Sequence, residues 1–286
     1  MNTDELDHPT ASPPPRRVII TGATGGLGKA FAAECAGRGW DLLLTDLRED
    51  ALRTLAGGLR NAHGVDVEWA ACDLTDADDR LRLIRSIRAR PDRVWMLINV
   101  AGTDSEGAFF DQPRGRLLAI LRLNIEATLD LTRSLLEQRD PLSAFRIVNV
   151  ASLAAFYPMP MKATYAASKR FLLDFSLALG EEVRELGATV TALCPGGMYT
   201  NDECIRAIEA QGLAGHLTAQ SIGSVAAGTL DCALAGRALY VPGAFNQVLR
   251  HLGAWVPAAW VAKFIGRRWK TVRRKRMIAE TAGVKA

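Results

Sequence analysis

The sequence predicts an α/β fold in which a doubly wound parallel sheet of about seven strands lies between two layers of helices, a three-layer α/β/α arrangement. Short runs rich in leucine and β-branched residues alternate with stretches whose apolar residues recur at helical spacing. Such alternation is typical of a parallel sheet covered on both faces. In chain order the seven strand-like runs are RRVIIT, DLLLTD, VDVEWAA, RVWMLINVAG, FRIVNVAS, ATVTALCPG and ALYVPG.

The domain organisation follows from changes in composition along the 286 residues. Residues 1–15 are acidic and then proline-rich, without the apolar stretch of a secretory signal, so we expect a flexible leader there. No composition break or repeat divides residues 16–245, which we expect to form one domain. Residues 246–286 are predicted to be an amphipathic, basic and helical C-terminal extension.

The cysteines and histidines indicate neither a disulfide framework nor a metal site. Five cysteines are scattered without a C-x-x-C pair, and the four histidines lie far apart in the sequence. This pattern favours a reducing, cytoplasmic compartment, with the cysteines acting as small buried hydrophobic residues. No apolar run approaches the roughly 18 to 20 residues that span a bilayer.

The first strand leads into a glycine-rich turn, TGATGGLGKAFAAEC, with Gly22, Gly26 and Gly28 where the strand should give way to a helix. Glycine there lets the backbone turn tightly and approach a pyrophosphate, while the helix N-terminus presents free N–H groups to the anion. The spacing G-x-x-x-G-x-G differs from the commoner G-x-G-x-x-G pattern. A tight turn without a ligand is the alternative, but its place after the first strand favours dinucleotide binding.

The second strand ends in Asp46, whose carboxylate could accept hydrogen bonds from both hydroxyls of an adenosine ribose and would repel a 2′-phosphate. We therefore expect NAD as the cofactor in preference to NADP. Arg48 and Lys29 weigh against this preference, because either could reach a 2′-phosphate. The alternative role for Asp46 is to cap the helix that starts near Glu49.

Three later strand ends complete a row facing one crevice, which is where ligands bind in open α/β sheets. The segment CDLTD should place Asp73 and Leu74 beside the adenine, and INVAG and VNVAS end the next two strands. Ser152, in VNVAS, lies 13 residues before Tyr165. That separation lets a strand end and the following helix bring the hydroxyl and the phenol together.

Tyr165 and Lys169 lie one helical turn apart in TYAASKRFLLDF. A free tyrosine has a pKa of about 10, too high for an efficient proton shuttle near neutrality, and an adjacent ammonium lowers it by favouring the phenolate. Alone, such a pair is more often an ordinary surface of a helix. The strand-end motifs that accompany the pair in this sequence favour a role in proton transfer.

Together these motifs resemble the short-chain dehydrogenase/reductase family in its single-domain form, over about residues 16–243. The resemblance implies a Rossmann-like fold and an NAD(P)-dependent oxidoreductase acting on a secondary alcohol or ketone. It also implies catalytic roles: Tyr165 as general acid/base, Lys169 also binding the nicotinamide ribose, Ser152 hydrogen-bonding the substrate oxygen, and Asn124 positioning a water that links Lys169 to solvent. The cofactor-binding residues it implies are Gly22, Thr24, Gly26, Leu27, Gly28, Asp46, Asp73, Leu74, Asn99, Ala101, Gly102, Tyr165, Lys169, Pro195, Gly196 and Thr200. One departure is Val100, where the family usually has a second asparagine.

Two other functions remain open at this point. One is a non-catalytic NAD(P)-binding sensor or scaffold, against which the complete proton-relay set argues. The other is a nucleotide-sugar epimerase or dehydratase, but those relatives usually carry a T-G-x-x-G-x-x-G turn and a larger C-terminal domain.

The substrate is predicted to be apolar, from the segment LAAFYPMPMKAT between Ser152 and Tyr165. Its apolar residues could line a pocket or pack instead at the sheet edge or against another subunit of a homo-oligomer. The candidates are Phe156, Met159 and Met161, joined by Met198 and Tyr199 from a mobile lid that Thr200 opens.

Charge is concentrated at the C-terminal end. Residues 263–276 hold eight of the 35 lysines and arginines and no acid, which leaves 27 basic residues against 31 acidic ones elsewhere. Three of the six tryptophans, Trp255, Trp260 and Trp269, fall in residues 245–276, where apolar residues follow helical spacing. The region 255–276 could pack on a partner subunit or over the substrate pocket, bind a membrane surface peripherally, or bind an acidic acyl carrier. Nucleic acid is not expected, because the body is acidic and no recognition motif precedes the tail.

Overall fold

The computed structural model describes residues 16–90, 94–198 and 218–267, except for the side chains of residues 252–254. All seven predicted strands are confirmed, and they form one parallel sheet in the order β3-β2-β1-β4-β5-β6-β7. The strands are β1 (Arg17–Thr21), β2 (Asp41–Asp46), β3 (Val67–Ala71), β4 (Val94–Asn99), β5 (Phe145–Val150), β6 (Ala188–Leu193) and β7 (Leu239–Tyr240).

Helices cover both faces of this sheet, which confirms the doubly wound three-layer fold. They are α1 (Gly26–Gly37), α2 (Glu49–His63), α3 (Ala77–Arg88), α4 (Arg114–Leu121), α5 (Ala127–Leu136), α6 (Ala163–Glu182), α7 (Ile222–Leu234), α8 (Ala244–Trp255) and α9, residues 258–267. Helices α1, α2 and α7 share one apolar cluster with the sheet, and α3 and α5 share another on the opposite face.

The apolar character of the strands follows from this double cover. In β1, Val18 and Ile20 lie in the cluster beneath α1, while Ile19 between them lies in the cluster beneath α3. Successive side chains of a strand point to opposite faces, so a strand buried on both faces needs apolar residues at every position. The uninterrupted run VII therefore specifies a central strand.

The strand order reverses direction between β1 and β4, and the crevice between their carboxyl ends is the topological switch point of the sheet. Thr21 closes the bottom of this crevice. Its Oγ1 accepts hydrogen bonds from the backbone N–H groups of Val100 (3.1 Å) and Ala101 (3.0 Å). The buried hydroxyl thus joins the chain leaving β1 to the chain leaving β4.

The C-terminal helices pack beside the segment that follows β5. The Tyr157 hydroxyl donates to the carbonyl of Leu249 in α8, and the Arg250 guanidinium lies 5.8 Å from the Phe156 ring centroid. The helices of the C-terminal region up to Arg267 confirm the predicted helical extension. The predicted leader and the basic residues after Arg267 lie outside the described residues, and the division into domains stays a prediction.

Among the described residues, every helix is too short or too polar to cross a membrane.

The bond pair at Thr21 yields a prediction about stability. Thr21→Val keeps the shape of the side chain but leaves two N–H groups without their acceptor, so we expect it to lower the free energy of unfolding by about 2 to 4 kcal/mol. Urea unfolding measures the difference. Thr21→Ser, which keeps the acceptor oxygen, is the control, and equal losses in the two variants would contradict this role of the hydroxyl.

Candidate active site

The glycine-rich turn after β1 requires glycine at two of its positions. Gly22 adopts a left-handed φ of +62°, and a Cβ there would lie 2.8 Å from Cα of Ala101. A Cβ on Gly28 would lie 2.1 Å from the carbonyl oxygen of Gly22. Only residues without a Cβ at these two positions let the turn lie this close to the end of β4 and to the first turn of α1.

The N-terminus of α1, which begins at Gly26, provides the donors that a pyrophosphate needs. Its N-cap residue, Gly25, is extended and makes no side-chain capping bond. The first N–H groups of a helix have no partner within the helix, and the helix dipole adds positive potential at the same place. Leu27 anchors this turn in the apolar core. The turn therefore fits a dinucleotide coenzyme.

Asp46 lies at the end of β2, oriented toward the glycine-rich turn. Its Oδ2 accepts from the backbone N–H of Thr24 at 3.0 Å, and its Oδ1 lies 3.5 Å from Nε of Arg48. Nη2 of Arg48 in turn donates to Oγ1 of Thr24 at 2.6 Å. Helix α2 begins at Glu49 with Arg48 as its N-cap, and Oδ1 of Asp46 also accepts from the N–H of Arg48 at 3.3 Å. A carboxylate and a guanidinium thus stand together at this strand end.

Asp73 and Leu74 follow β3. The Asp73 side chain bonds to a neighbouring residue, and the Leu74 side chain packs in the core. Oδ1 of Asp73 accepts from the N–H (2.9 Å) and the hydroxyl (2.7 Å) of Thr75, and Leu74 is buried in the cluster beneath α3. The Asp76 carboxylate caps α3 by accepting from the N–H of Asp79 at 2.9 Å.

Asn99 points into the sheet interior. Its Nδ2 donates to Oδ1 of Asn149 (2.8 Å) and to Oγ1 of Thr132 (3.3 Å), and Nδ2 of Asn149 donates to Oγ of Ser176 (2.9 Å). These buried bonds join β4, β5, α5 and α6. Any contact of Asn99 with a cofactor therefore falls to its main chain. Val100, at the position that departs from the family pattern, packs against the apolar core.

Gly102, three residues after the end of β4, lies close to the side chain of Asn124. Asn124 lies in a π-helical segment, Arg122–Glu126, between α4 and α5. Its Oδ1 accepts from the N–H of Thr103 (2.9 Å), and its Nδ2 donates to the Thr103 carbonyl (3.1 Å) and to Oγ of Ser168 (3.0 Å). A Cβ on Gly102 would lie 3.2 Å from both Oδ1 of Asn124 and Nζ of Lys169. The buried asparagine thus ties the β4 end to α6.

Lys169 reaches the same point from α6. The side chain is buried, and its Nζ donates to the carbonyl of Val150, the last residue of β5, at 2.8 Å. Burial lowers the pKa of this ammonium to about 8, although nearby Cys194 and Asp104 act in the opposite direction. The Nζ lies 5.8 Å from the ring centroid of Tyr165. The sequence prediction that the two side chains lie close together agrees with this distance.

Ser152 stands where β5 gives way to a 3-10 turn, Leu153–Phe156, that packs on α6. Its Oγ accepts from the N–H of Ala154 at 3.1 Å, and an accepting hydroxyl still carries its own hydrogen. The N–H of Leu153 donates to the carbonyl of Pro195 at 2.8 Å, so the ends of β5 and β6 are held side by side.

Gly196 continues this edge of the crevice. A Cβ there would lie 2.4 Å from the carbonyl oxygen of Thr218 and 2.8 Å from Nδ2 of Asn246, so only glycine fits between them. Thr200 and Tyr199, which the sequence assigned to a lid, lie outside the described residues.

An ion-pair set beside Tyr165 was not found from the sequence. Nζ of Lys162 contacts Oδ2 of Asp104, lies 3.7 Å from Oε2 of Glu106, and lies 5.8 Å from the Tyr165 ring centroid. Within the described part of the chain, Oδ1 of Asp104 is buried without a hydrogen-bond partner. The segment TDSE after the β4 end, with its two acids, was the available signal, but sequence separation hides its contact with Lys162.

The predicted apolar pocket is only partly assembled. Phe156 packs into an apolar cluster with α6 and β6, and Met198 packs against the cluster beneath α1. Met161, at a left-handed φ of 69°, lines a small pocket of about 50 Å³. The residues lining this pocket are Ser105, Gly107, Phe109, Gln112, Leu117, Met161, Lys162, Ala163 and Thr164.

The family model described as short chain dehydrogenase matches residues 16–204. The chain belongs to the short-chain dehydrogenase family. This match covers the glycine turn, all the strand ends from β1 to β6, and the Tyr165–Lys169 pair.

Individual relatives agree with this placement. The chain is 34% identical over 177 residues to a very-long-chain 3-oxoacyl-CoA reductase of Laccaria bicolor, an alignment that covers 61% of this chain and 52% of that protein. Among solved structures, a short-chain dehydrogenase from Sphingobium yanoikuyae in complex with NADPH has a TM-score of 0.71 at 26% identity, over 85% of this chain and 97% of that one. A variant of actinorhodin polyketide ketoreductase with NADPH also has a TM-score of 0.71, at 25% identity, over 80% and 96% of the two chains. This short-chain dehydrogenase spans about half the length of the first curated relatives it matches.

The buried Lys169 of this short-chain dehydrogenase gives a pH-dependent prediction. An unfolded lysine has a pKa near 10.5, so below pH 8 both states carry the proton and the full cost of burying the ammonium, about 3 kcal/mol, is present. The cost fades between pH 8 and 10.5, where the folded protein has released the proton. Lys169→Met should therefore stabilise the coenzyme-free protein at pH 7 and lose this advantage by pH 10.

Thermal unfolding of both proteins across this pH range measures the effect. Arg170→Met, at the exposed neighbouring position of α6, is the control for a general effect of charge removal. A stability difference that does not change between pH 7 and 10 would contradict the assignment.

The ion pairs at Lys162 give a second prediction. In Asp104→Asn one negative charge near Tyr165 is lost while Lys162 retains Glu106 as its partner, which favours the phenolate of Tyr165 and disfavours the ammonium of Lys169. The pH midpoint of alcohol oxidation should fall by about 0.5 to 1 unit, whereas Lys162→Met should raise it.

The pH profile of kcat/KM is the measurement. The double variant is the control, since removing both partners should return the midpoint close to that of the parent protein. Superimposable profiles for all four proteins would show that the ion pairs serve only to position the loop.

Proposed function

We propose that the chain is an NAD(P)-dependent oxidoreductase that interconverts a secondary alcohol and a ketone, with Tyr165 as the general acid/base. The observation that carries this proposal is the buried ammonium of Lys169, held by the Val150 carbonyl beside the Tyr165 ring at the carboxyl ends of β4 and β5. A coenzyme bound along the glycine turn would supply or accept the hydride. The protein handles the proton and aligns the substrate.

Each polar group of the site has a distinct part in this proposal. In the reducing direction Tyr165 gives its phenolic proton to the substrate oxygen, and the charge of Lys169 stabilises the phenolate that remains. Ser152 donates its hydroxyl hydrogen to the same oxygen and so fixes its position. Asn124, bonded to Thr103 and Ser168, holds the β4 end against α6 and keeps Lys169 in place.

A non-catalytic sensor or scaffold is disfavoured by energetics. Burying Lys169 with a lowered pKa costs stability, and such perturbed groups cluster where chemistry needs them. An epimerase or dehydratase would use the same tyrosine and lysine. The relatives whose names describe a reaction, the 3-oxoacyl-CoA reductase and the polyketide ketoreductase, support reduction of a ketone instead.

For the coenzyme we propose NAD(H) over NADP(H), because Asp46 is held by the N–H of Thr24 at the end of β2, where its carboxylate would face the adenosine ribose. Its negative charge would repel a 2′-phosphate. Arg48, beside it, is the residue through which NADP(H) could still bind. The NADPH complex of the Sphingobium relative shows that the family also uses the phosphorylated coenzyme.

This coenzyme proposal predicts that NADH binds more tightly than NADPH. Asp46→Asn should improve NADPH binding relative to NADH by about tenfold, because the repulsion is removed while Arg48 stays. Arg48→Ala in the same background should reverse that gain. Dissociation constants from fluorescence titration measure both, and tighter NADPH binding by the parent protein would overturn the preference.

For the substrate we propose an apolar ketone, with 3-oxoacyl thioesters as the first class to test. The Laccaria relative is named for such a substrate, and the segment between Ser152 and Tyr165 is rich in apolar residues. An acyl-carrier protein is then a second source of substrate beside coenzyme A.

We also propose a homo-oligomer, since Phe171 stacks on Phe175 (ring centroids 5.8 Å apart) along the partly exposed outer face of α6.

Tyr165→Phe tests the proposed function directly. The variant keeps the ring but lacks the transferable proton, so we expect the dissociation constant for the coenzyme to change by less than about twofold while kcat falls by about a thousandfold or more. Steady-state turnover of a 3-oxoacyl thioester and coenzyme titration are the measurements. Tyr157→Phe, outside the proposed proton relay, is the matched control. Unchanged turnover in Tyr165→Phe would refute the general acid/base.

A further inference from the structure

Helix α9 carries a stripe of aromatic and basic residues on its outer face. Trp260, Lys263, Phe264 and Arg267 are spaced i, i+3, i+4 and i+7, which places them along one side of a helix. Trp260 is 74% exposed and Phe264 is 69% exposed, and both basic residues are exposed as well. We call these four residues the outer stripe.

The opposite side of α9 faces the protein. Val261, Ala262, Ile265 and Gly266 are all less exposed than the residues of the outer stripe, and a Cβ on Gly266 would lie 3.4 Å from Cγ of Pro160. The helix therefore buries its small and aliphatic side and turns its aromatic side outward. Trp260 and Phe264 are largely exposed, so nothing in the described part of the chain supports the sequence-based alternative in which this region packs over the substrate pocket.

Further exposed apolar residues lie just before α9 and on α8. Trp255, at the end of α8, is 88% exposed, and Val256 after it is 45% exposed. On α8 itself Phe245 and Val248, three residues apart, are also exposed. Large aromatic side chains gathered in solvent are unusual for a monomer and mark a surface that contacts something else.

The excess of positive charge in this region indicates the kind of partner that it binds. Between Asp231 and Glu280 the sequence has ten lysines and arginines and no aspartate or glutamate. In a symmetric contact between two copies the same patch would face itself, which would bring like charges together. The surface therefore fits an anionic partner better than a second copy of this chain.

We propose that the outer stripe and Trp255 dock on an anionic lipid bilayer. A helix lying in the plane of the headgroups places tryptophan and phenylalanine in the interfacial layer and lets neighbouring cations meet lipid phosphates. Lysine is depleted from the cores of protein interfaces, so Lys263 between two exposed aromatics favours lipid over an acidic protein. The six basic residues between Arg268 and Arg276, by sequence, add to the attraction.

The helices that carry the docked surface pack on the segment between Ser152 and Tyr165. Pro160 of this segment faces Gly266 of α9, and α8 contacts the same segment through Tyr157 and Phe156. Docking would therefore hold the bilayer one helix away from this segment, which gives a lipid-like substrate a path toward the site. This path rests on the proposed reductase function, whereas the docking itself does not.

Sedimentation of the full chain with vesicles tests the docking without any assay of activity. Vesicles of phosphatidylcholine with 30% phosphatidylglycerol are compared with pure phosphatidylcholine, at low and high salt. The full chain should pellet with the anionic vesicles and about tenfold less with the neutral ones. Trp260→Ala with Phe264→Ala should weaken partitioning by at least about tenfold, and Lys263→Glu should weaken it at low salt.

Matched controls separate the outer stripe from general effects. Phe110→Ala removes an aromatic ring that is 96% exposed on a different loop, and Arg85→Glu reverses an exposed charge on α3. Both should partition like the parent protein. Lys263→Glu keeps both rings, so it tests the proposal even where the double alanine variant fails to fold.

Three results would overturn the proposal. The first is a full chain that stays in the supernatant with anionic vesicles at low salt, including one that instead binds polyglutamate, which would identify an acidic protein partner. The second is unchanged partitioning of the double alanine variant, which would show that charge outside the stripe suffices. The third is a loss of oligomeric state in that variant, measured by analytical ultracentrifugation, with vesicle binding intact.

Discussion

The buried ammonium of Lys169 is the interaction on which the arrangement of the site depends. An ammonium removed from water needs hydrogen-bond partners or nearby negative charge, and here the partner is a backbone carbonyl at the end of β5. The cost of burial appears as the lowered pKa. The group is therefore charged near neutral pH but can lose its proton under mildly basic conditions, a range in which an acid/base site can use it.

Three separate pieces of chain must converge for this lysine to be held. Gly102 lets the β4 end approach Nζ without a side chain, Asn124 bonds that end to α6, and Val150 supplies the acceptor. The π-helical segment gives Asn124 its place, since one extra residue per turn widens the helix locally. Such segments interrupt the regular hydrogen bonding of a helix and occur frequently at functional sites.

Charge is used differently at the two ends of the molecule. At the site, Lys162 is balanced by Asp104 and Glu106, so its field on Tyr165 is limited. In the C-terminal region, Lys263 lies in a stretch between Asp231 and Glu280 that has ten lysines and arginines and no acid. Balanced charge in a partly buried place tunes proton transfer, whereas an excess of one sign at the surface attracts an oppositely charged partner over a longer range.

Much of the fold and the core of the site were accessible from the sequence because they depend on local patterns. The alternation of apolar strands and helical stretches gave every strand of the sheet, since a parallel strand covered on both faces must be apolar at each position. The glycine turn and the Tyr165–Lys169 spacing are set by backbone geometry within a few residues. Asn99 lies at the end of β4, as the strand pattern predicted, but its side chain bonds to Asn149 and Thr132, partners 50 and 33 residues away that no local pattern reveals.

The tertiary structure alone decided which distant groups meet. Asp104 and Lys162 lie 58 residues apart in the sequence, and only the packing of the β4 end against α6 brings their charges beside Tyr165. The C-terminal helix shows the same division. Its composition identified an amphipathic basic segment, but the contact of Gly266 with Pro160 determines which side is buried and which aromatics face outward. Sequence spacing fixes the faces of a helix, whereas the choice of the buried face depends on the neighbour against which the helix packs.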